Sequence, residues 1–391
     1  MKRIAVIFEG DINNRLGVFY AVLNRVQHLR RVANYDIDLH MIQVYDGALM
    51  RRVRHSKAVP QRDNVIQVEG ETLHVHWVKR DWRDSVLHRL LGKRPVYLTK
   101  WLNNLAKSMD NYDLISAHDR MGGFVAQRAA ALHQIPHCIT WHGASIYTDP
   151  PRDPMLKAVT IELLHGATDN FFVSHGLYEK ALVLTTGFPA KVLFNGASSD
   201  FRRMPDAERE ALREKYGVAG RKVVAFVGRF EPVKNVMKLP EIYATIAEKY
   251  DGDVAFWTIG TGFQHEQVRQ AMAERCVDCH MWGMQPLEQM PLLMNCIDVL
   301  VLPSSLEGLP LVTLEALQCG ANVVATNVVG TAEGIGRENA VDIDEHFMEN
   351  FTDRAVAMLQ GRVQQQLPPD VSWEATAQKE NDIYRKLMSI E

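Results

Sequence analysis

Apolar residues along this 391-residue chain come in short β-branched runs, each followed by a loop and a longer stretch with apolar positions three and four apart. That alternation predicts βα units, and hence parallel sheets covered by helices. Residues 3–8 read as a first strand and 9–16 as a loop with Asp11, two Asn and Arg15; 17–31 read as a helix entered at Gly17. This is the strand–loop–helix opening of a Rossmann-like half, although one glycine does not make a phosphate loop. Residues 37–44 read as a second strand, 51–62 as a basic exposed loop, and 65–78 as a hairpin turning near Glu69-Gly70. Residues 79–94 mix Lys and Arg with Trp82, Val86, Leu87, Leu90 and Leu91, which favours an ordinary surface helix over an interfacial amphipathic one.

From residue 96 the alternation becomes regular: helix to 109, strand 113–117, helix 122–133, strand 136–141. The last of these runs into His142-Gly143. A histidine at the carboxyl end of a strand, before a glycine that lets a ligand approach, is a candidate site residue. Most of the other histidines read as packing or surface residues. Strands at 170–173 and 191–194 follow, and the Asn195-Gly196 turn closes a first domain near residue 200.

A charged helix over 205–216 leads into a second βα series with strands at 222–227, 253–259, 279–282 and 297–302, and a helix at 287–295. The stretch after the fourth strand, P-S-S-L-E-G-L-P-L-V-T-L-E over 303–315, carries most of the candidate chemistry. Pro303 breaks the strand, Pro310 suits the first turn of a helix, and Gly320 suits its end. Glu307 then falls in the loop and Glu315 about a turn and a half into the helix. The free amides near Leu311 and Val312 crown a helix start, where the dipole favours a phosphate. Two carboxylates beside such amides can grip hydroxyls on either side of a diphosphate, which describes a sugar nucleotide. The loop Gly228-Arg229-Phe230-Glu231-Pro232-Val233-Lys234-Asn235 adds two cations, Arg229 and Lys234, that can neutralise that diphosphate. Gly260-Thr261-Gly262 is a weaker glycine turn after the next strand. Beyond Glu315 come a strand at 322–326, a turn at Val329-Gly330-Thr331, a helix at about 346–360 and a last helix at 372–388.

Composition narrows the classes. With 47% hydrophobic and 23% charged residues the chain is ordinary for a globular protein, and its length suits two domains. No apolar run approaches the roughly 20 residues of a membrane span. The apolar part of the N-terminus is too short for a signal peptide, so a cytoplasmic location is expected. Five cysteines do not suggest a disulfide framework. Cys276-Val-Asp-Cys279-His280 fits the haem-attachment spacing, but without an export signal or a second Cys pair it is read as chance. Residues 1–190 hold 24 Lys and Arg against 18 Asp and Glu, so the first half is basic while the whole chain carries a net charge of −3. A basic half suits peripheral contact with an anionic membrane or an acidic substrate. Nothing resembles a zinc finger or an RNA-binding signature, so no nucleic acid is expected.

Taken together, these segments resemble retaining glycosyltransferases of family 4, which have the GT-B fold. The likeness covers nearly the whole chain and is strongest over 222–335. F-V-G-R-F-E-P-V-K-N is similar to the family's G-R-x-x-x-x-K-N segment, and the 303–315 stretch to its E-x7-E signature. V-L-F-N-G-A-S-S-D-F resembles the N-G-V-D-x-x-x-F passage, and S-W-E with Ile383-Tyr384 the usual last helix. The resemblance implies an α/β protein with two Rossmann-like domains facing a cleft. An acceptor-side domain would span 1–200 plus the returning C-terminal helix at 372–391, and a nucleotide-sugar domain 201–371. It implies that Arg229, Lys234 and the amides near Leu311 and Val312 hold the donor diphosphate. Glu307 would bind hydroxyls of the transferred sugar, Glu315 the ribose, and His142 would sit beside the reacting carbon. Gly17 would lie where the first loop approaches phosphate and acceptor, and both Gly17 and Gly260 are expected to bind the donor. Only Gly17 answers the Gly-Gly pair common in the first loop, Val329-Gly330 stands where Gly-Gly is common, and Ala197-Ser198 replaces Val-Asp.

The function so implied is a metal-independent hexosyltransferase of polysaccharide or glycolipid biosynthesis, with no cofactor. It would move a sugar from a nucleotide-sugar donor to a saccharide or lipid-linked acceptor with retained configuration. A GT-B-fold sugar-nucleotide epimerase and a non-catalytic sugar-nucleotide-binding protein are the alternatives. An oxidoreductase is weaker, because no G-x-G-x-x-G follows the first strand.

Overall fold

A computed structural model describes residues 1–12, 17–47, 60, 64–92 and 95–389. Asn13, Asn14, Arg15 and, apart from Pro60, the basic stretch 51–62 lie outside the described residues; so do the side chains of Leu87 and Leu91. The chain divides into two units, one made of Met1–Asn195 with Trp373–Glu391 and the other of Gly196–Ser372.

Among the described residues the first unit holds eight strands: β1 (Arg3–Glu9), β2 (Asp36–Tyr45), β3 (Val65–Val68), β4 (Glu71–Lys79), β5 (Leu114–His118), β6 (His137–Trp141), β7 (Asp169–Phe172) and β8 (Ala190–Val192). They lie in the order β3-β4-β2-β1-β5-β6-β7-β8, all parallel except the β3–β4 hairpin. Every residue of β5, β6 and β7 is buried, as in strands covered on both faces, which is why they read as unbroken apolar runs. The order reverses at β1, with β2 on one side and β5 on the other. The carboxyl ends of β1 and β5 therefore flank the crevice where doubly wound sheets bind ligands.

The last helix, Trp373–Leu387, returns to this first unit, as expected. Its Ile383 and Tyr384 join the core of β1, β2 and the helix Gly17–Val32. The Tyr384 hydroxyl donates to Ser116 Oγ at 2.8 Å, and Tyr35 donates to Asn381 at 2.7 Å. Between the two helices Arg25 and Glu380 form an ion pair at 3.4 Å, with 2% and 1% of their side chains exposed. A pair so dry is costly to bury but costs far more to break by removing one partner.

Among the described residues of this unit, the short helix Ala144–Tyr147 and two longer ones are not among those expected from the sequence. Pro154–Gly166 begins at a proline, with Asp153 accepting from the amides of Met155 and Leu156. In His175–Leu184, Ser174 caps the amide of Leu177. Both starts carry ordinary capping residues.

The second unit holds β9 (Lys222–Val227), β10 (Val254–Ile259), β11 (Cys279–Gly283), β12 (Val299–Leu302), β13 (Asn322–Thr326) and β14 (Ala340–Val341). Their order is β11-β10-β9-β12-β13-β14, all parallel. Here the reversal falls at β9, so the loops leaving β9 and β12 flank the ligand-binding crevice. Cys276 and Cys279 are free thiols at the edge strand β11. The helix after β12 spans Leu311–Gln318; Pro310 precedes it as the N-cap with an extended ψ of 112°, one place earlier than expected. Gly320 follows its end at φ +87°, where a side chain would be strained.

Candidate functional site

In the second unit the loops leaving β9 and β12 are stitched together. The Ser305 amide and hydroxyl donate to the Val233 carbonyl at 2.8 and 3.0 Å, and Asn235 Nδ2 donates to the Pro303 carbonyl at 3.0 Å. Asn235 reaches this position at φ +49°, a backbone that Asn tolerates better than most residues. The stitching brings Lys234 Nζ to 2.5 Å from Glu307 Oε1, with 17% and 11% of their side chains exposed. Arg229 stands on the same loop and holds Glu231 at 2.6 Å.

Beside that pair is the start of the helix Leu311–Gln318. No side chain caps it, and the amides of Leu311 and Val312 meet no acceptor among the described residues. Such a tip favours an anion. The carboxyl of Glu315, further along the helix, has no hydrogen-bond or ion-pair partner among the described residues. Burial pushes it up to about 7. An unpartnered, desolvated carboxyl is suited to accept from a ligand hydroxyl.

Gly260 is placed differently from a simple ligand contact. At φ +125° it donates to the Gly283 carbonyl, and a Cβ there would strike the carbonyl oxygen of Gly228. Its glycine is required for the exits of β9 and β10 to lie against each other. Gly17 opens its helix with nothing among the described residues within 4 Å of where a Cβ would stand.

In the first unit, His142 follows β6 and its Nε2 lies 2.9 Å from Nδ1 of His118, the last residue of β5. The two rings are nearly parallel, 26° apart. Asp119 Oδ1 accepts from the His142 backbone amide at 3.2 Å. Asp119 adopts φ +53°, an unusual backbone for a residue with a side chain. Burial raises its carboxyl to about 6 against the opposing pull of that amide and of Arg120. Burial, then Arg25, holds His142 down at about 3, so both rings of the pair are neutral near pH 7. Of the two, sequence reasoning points to His142 and misses His118. The signal is there: A-H-D at the end of an apolar strand repeats the arrangement of W-H-G one strand later.

A second histidine cluster also escapes the sequence. His40 on β2 bonds His76 on β4 at 2.9 Å and Tyr112 at 2.9 Å, and it stacks on His74. It lies along the strands rather than at their carboxyl ends, and burial holds His40 at about 3 and His76 at about 4.

Comparison with known proteins agrees with the motifs. Residues 208–363 match the family described as glycosyl transferases group 1. The chain is 26% identical over 287 residues to an O-antigen chain mannosyltransferase B of Escherichia coli, covering 65% of this chain and 72% of that one. It is 25% identical over 310 residues to a D-inositol 3-phosphate glycosyltransferase of Corynebacterium jeikeium, covering 71% and 73%. Among solved structures, sucrose-phosphate synthase of Thermosynechococcus elongatus superposes with a TM-score of 0.74 at 16% identity, over 100% of both chains. Anabaena HepE, solved with UDP and glucose, superposes with a TM-score of 0.65 at 16% identity, over 99% and 96%. The fold is that of the GT-B glycosyltransferases.

Proposed function

We propose, from the match of residues 208–363 to the group 1 glycosyl transferases, that this protein transfers a hexose from a nucleotide-sugar donor to a saccharide or lipid-linked acceptor. One observation carries the reading: Lys234 and Glu307 meet beside uncapped helix amides, at the point where the second sheet reverses its order. Arg229, Lys234 and the amides of Leu311 and Val312 hold the donor diphosphate. Until the donor enters, Glu307 satisfies the lysine; afterwards the cation is free for phosphate and the carboxylate for sugar hydroxyls. Glu315, its carboxyl without a partner, takes the ribose hydroxyls.

Transfer breaks the bond between the anomeric carbon and the leaving phosphate oxygen and forms one to the acceptor oxygen on the same face. The acceptor proton passes to the leaving phosphate, so no protein nucleophile is assigned and configuration is retained. Two cations and a helix tip stabilise the charge that grows on the diphosphate, usually the largest single contribution to such catalysis, and supply it without a metal. In the same reading His142 is the first unit's candidate to contact a sugar hydroxyl.

A peripheral seat on an anionic membrane belongs to the same reading. In the helix Trp82–Leu91, Asp84 accepts from the amides of Tyr97 and Leu98, and His88 Nε2 lies 2.6 Å from Asp153. Trp82, Val86 and Leu90, four apart, are 64%, 42% and 74% exposed. Across residues 79–100 seven Lys and Arg accompany two Asp. An exposed apolar stripe amid cations suits a headgroup layer. No helix of the described residues is long and apolar enough to cross a membrane.

The test is a thermal-shift panel of UDP, GDP and ADP, followed by assay of the matching nucleotide sugars for released diphosphate nucleotide. The expected result is stabilisation by one nucleotide and release that rises with acceptor. Conversion of the donor sugar without release identifies an epimerase instead, and binding without turnover a sugar-nucleotide-binding protein.

A further inference from the structure

We infer that His118 is a positioning residue for His142: it occupies the Nε2 of the His142 ring, fixes its plane, and leaves Nδ1 as the one nitrogen available to a ligand. The inference rests on the reading of His142 as the neighbour of the transferred sugar. It starts from the sheet, because β5 and β6 are adjacent parallel strands and their carboxyl ends lie side by side at the crevice of the first unit. His118 is 1% exposed, so its ring is held by packing rather than by solvent. Its Nδ1 lies 2.9 Å from His142 Nε2 with the rings 26° from parallel, a hydrogen bond made edge to edge.

No protein group meets His142 Nδ1 among the described residues. The backbone on either side is also held. Asp119 clamps the His142 amide from the strand that carries His118, and Gly143 turns the chain away at φ +154°. The charged group that acts on both rings is Arg25, whose cation opposes their protonation; Asp119, itself under the influence of Arg120 and Glu9, meets the pair through the His142 backbone amide.

Two neutral imidazoles joined N to N share one proton. With the proton on His118, the His142 Nδ1 carries the other hydrogen and donates to a sugar oxygen. With the proton on His142 Nε2, Nδ1 is bare and accepts from a sugar hydroxyl. Both arrangements are neutral, and passing from one to the other takes a hydrogen off His142 Nδ1 and puts one on His118 Nε2 as the bridging proton crosses, so the pair settles in the arrangement that matches the ligand oxygen. Sequence spacing hides this, since the two residues stand 24 apart and only the sheet makes them neighbours.

The experiment is nuclear magnetic resonance on the full chain labelled with 15N-histidine, with His142 assigned by a His142→Gln variant. The expected result is an internitrogen coupling between His118 Nδ1 and His142 Nε2 in the wild type, with neither ring an imidazolium at pH 7. A wild-type His142 ring with no such coupling and the average shifts of a solvated, tautomerising imidazole overturns the inference, without need of any variant. His118→Phe should move the His142 ring shifts, while His118→Asn, whose amide nitrogen reaches the place of Nδ1, should keep them near the wild type. In turnover, His118→Phe should lower kcat by about tenfold with the donor KM changed less than about twofold, and His118→Asn should stay within about threefold. Equal kcat in His118→Phe and wild type, where His142→Ala is impaired, overturns the positioning role while leaving the site intact. If instead no nucleotide sugar is turned over by the wild type, the transferase reading fails and the coupling result still decides the pairing.

Discussion

Lys234 Nζ and Glu307 Oε1 lie 2.5 Å apart although 73 residues separate them, because the loops leaving β9 and β12 are laced by Ser305 and Asn235. Each partner of this pair is assigned to the donor. Lys234→Ala and Glu307→Ala should each lower the transfer rate at least about a hundredfold, the scale of a lost electrostatic stabiliser. Steady-state assay, with circular dichroism to verify folding, checks this; near-normal rates in both variants would remove the pair from the site.

Glu315 gives a pH signature. Its carboxyl moves from 4.5 to about 7 on folding, so between those values the folded protein holds a proton that the unfolded chain has released. Its contribution to stability therefore falls as pH rises through that window and is lowest above about 7. Glu315→Gln cannot ionise. It should melt close to the wild type near pH 4.5 and at a higher temperature near pH 8, read by calorimetry at matched pH. No gain at pH 8 would mean the ionised carboxyl is well solvated.

Two glycines assigned to the donor side should behave in opposite ways. Gly260→Ala drives a methyl into the Gly228 carbonyl at a strained φ, so a loss of about 3 kcal/mol or failure to fold is expected in chemical denaturation. Gly17→Ala meets no atom of the described residues at a helix start and should leave stability within about 0.5 kcal/mol of the wild type. If Gly17→Ala still lowers turnover, the glycine serves a ligand; unchanged turnover would take it off the donor side.

The buried pair that ties the last helix to the first unit should be a weak point when broken singly. Glu380→Ala leaves Arg25 charged and dry, at an expected cost of about 3–5 kcal/mol in urea unfolding. Replacing both together, Arg25→Met with Glu380→Leu, should recover much of that loss. A single variant as stable as the wild type would show that water reaches the site.

Membrane contact is checked by sedimentation with vesicles rich in phosphatidylglycerol. Binding should weaken as salt rises, and Trp82→Ser with Leu90→Ser should abolish the residual salt-resistant part. Equal partition into neutral vesicles, or no binding at low salt, would sink the idea.

The helix tip at Leu311 and the loop position of Glu307 are legible because proline, glycine and an apolar run mark them locally, although Pro310 lies one place earlier than expected. The starts of the helices Pro154–Gly166 and His175–Leu184 carry signals of the same kind, since Asp153-Pro154 and Ser174 are ordinary helix openings, yet the sequence expectations did not include them. His118 is harder. A histidine closing an apolar strand looks like packing until the neighbouring strand is known.

What the sequence determined by itself was the alternation of strands and helices, the break at Pro303, and the eight-residue interval between two glutamates. Each depends on side chains and backbone within a few residues of one another. Only the tertiary structure decided that Lys234 faces Glu307, that His118 faces His142, and that Arg25 and Glu380 meet in a dry interior. Strand order makes those meetings, and the removal of water by packing sets the charge on Glu315; neither quantity is carried by any short stretch of chain.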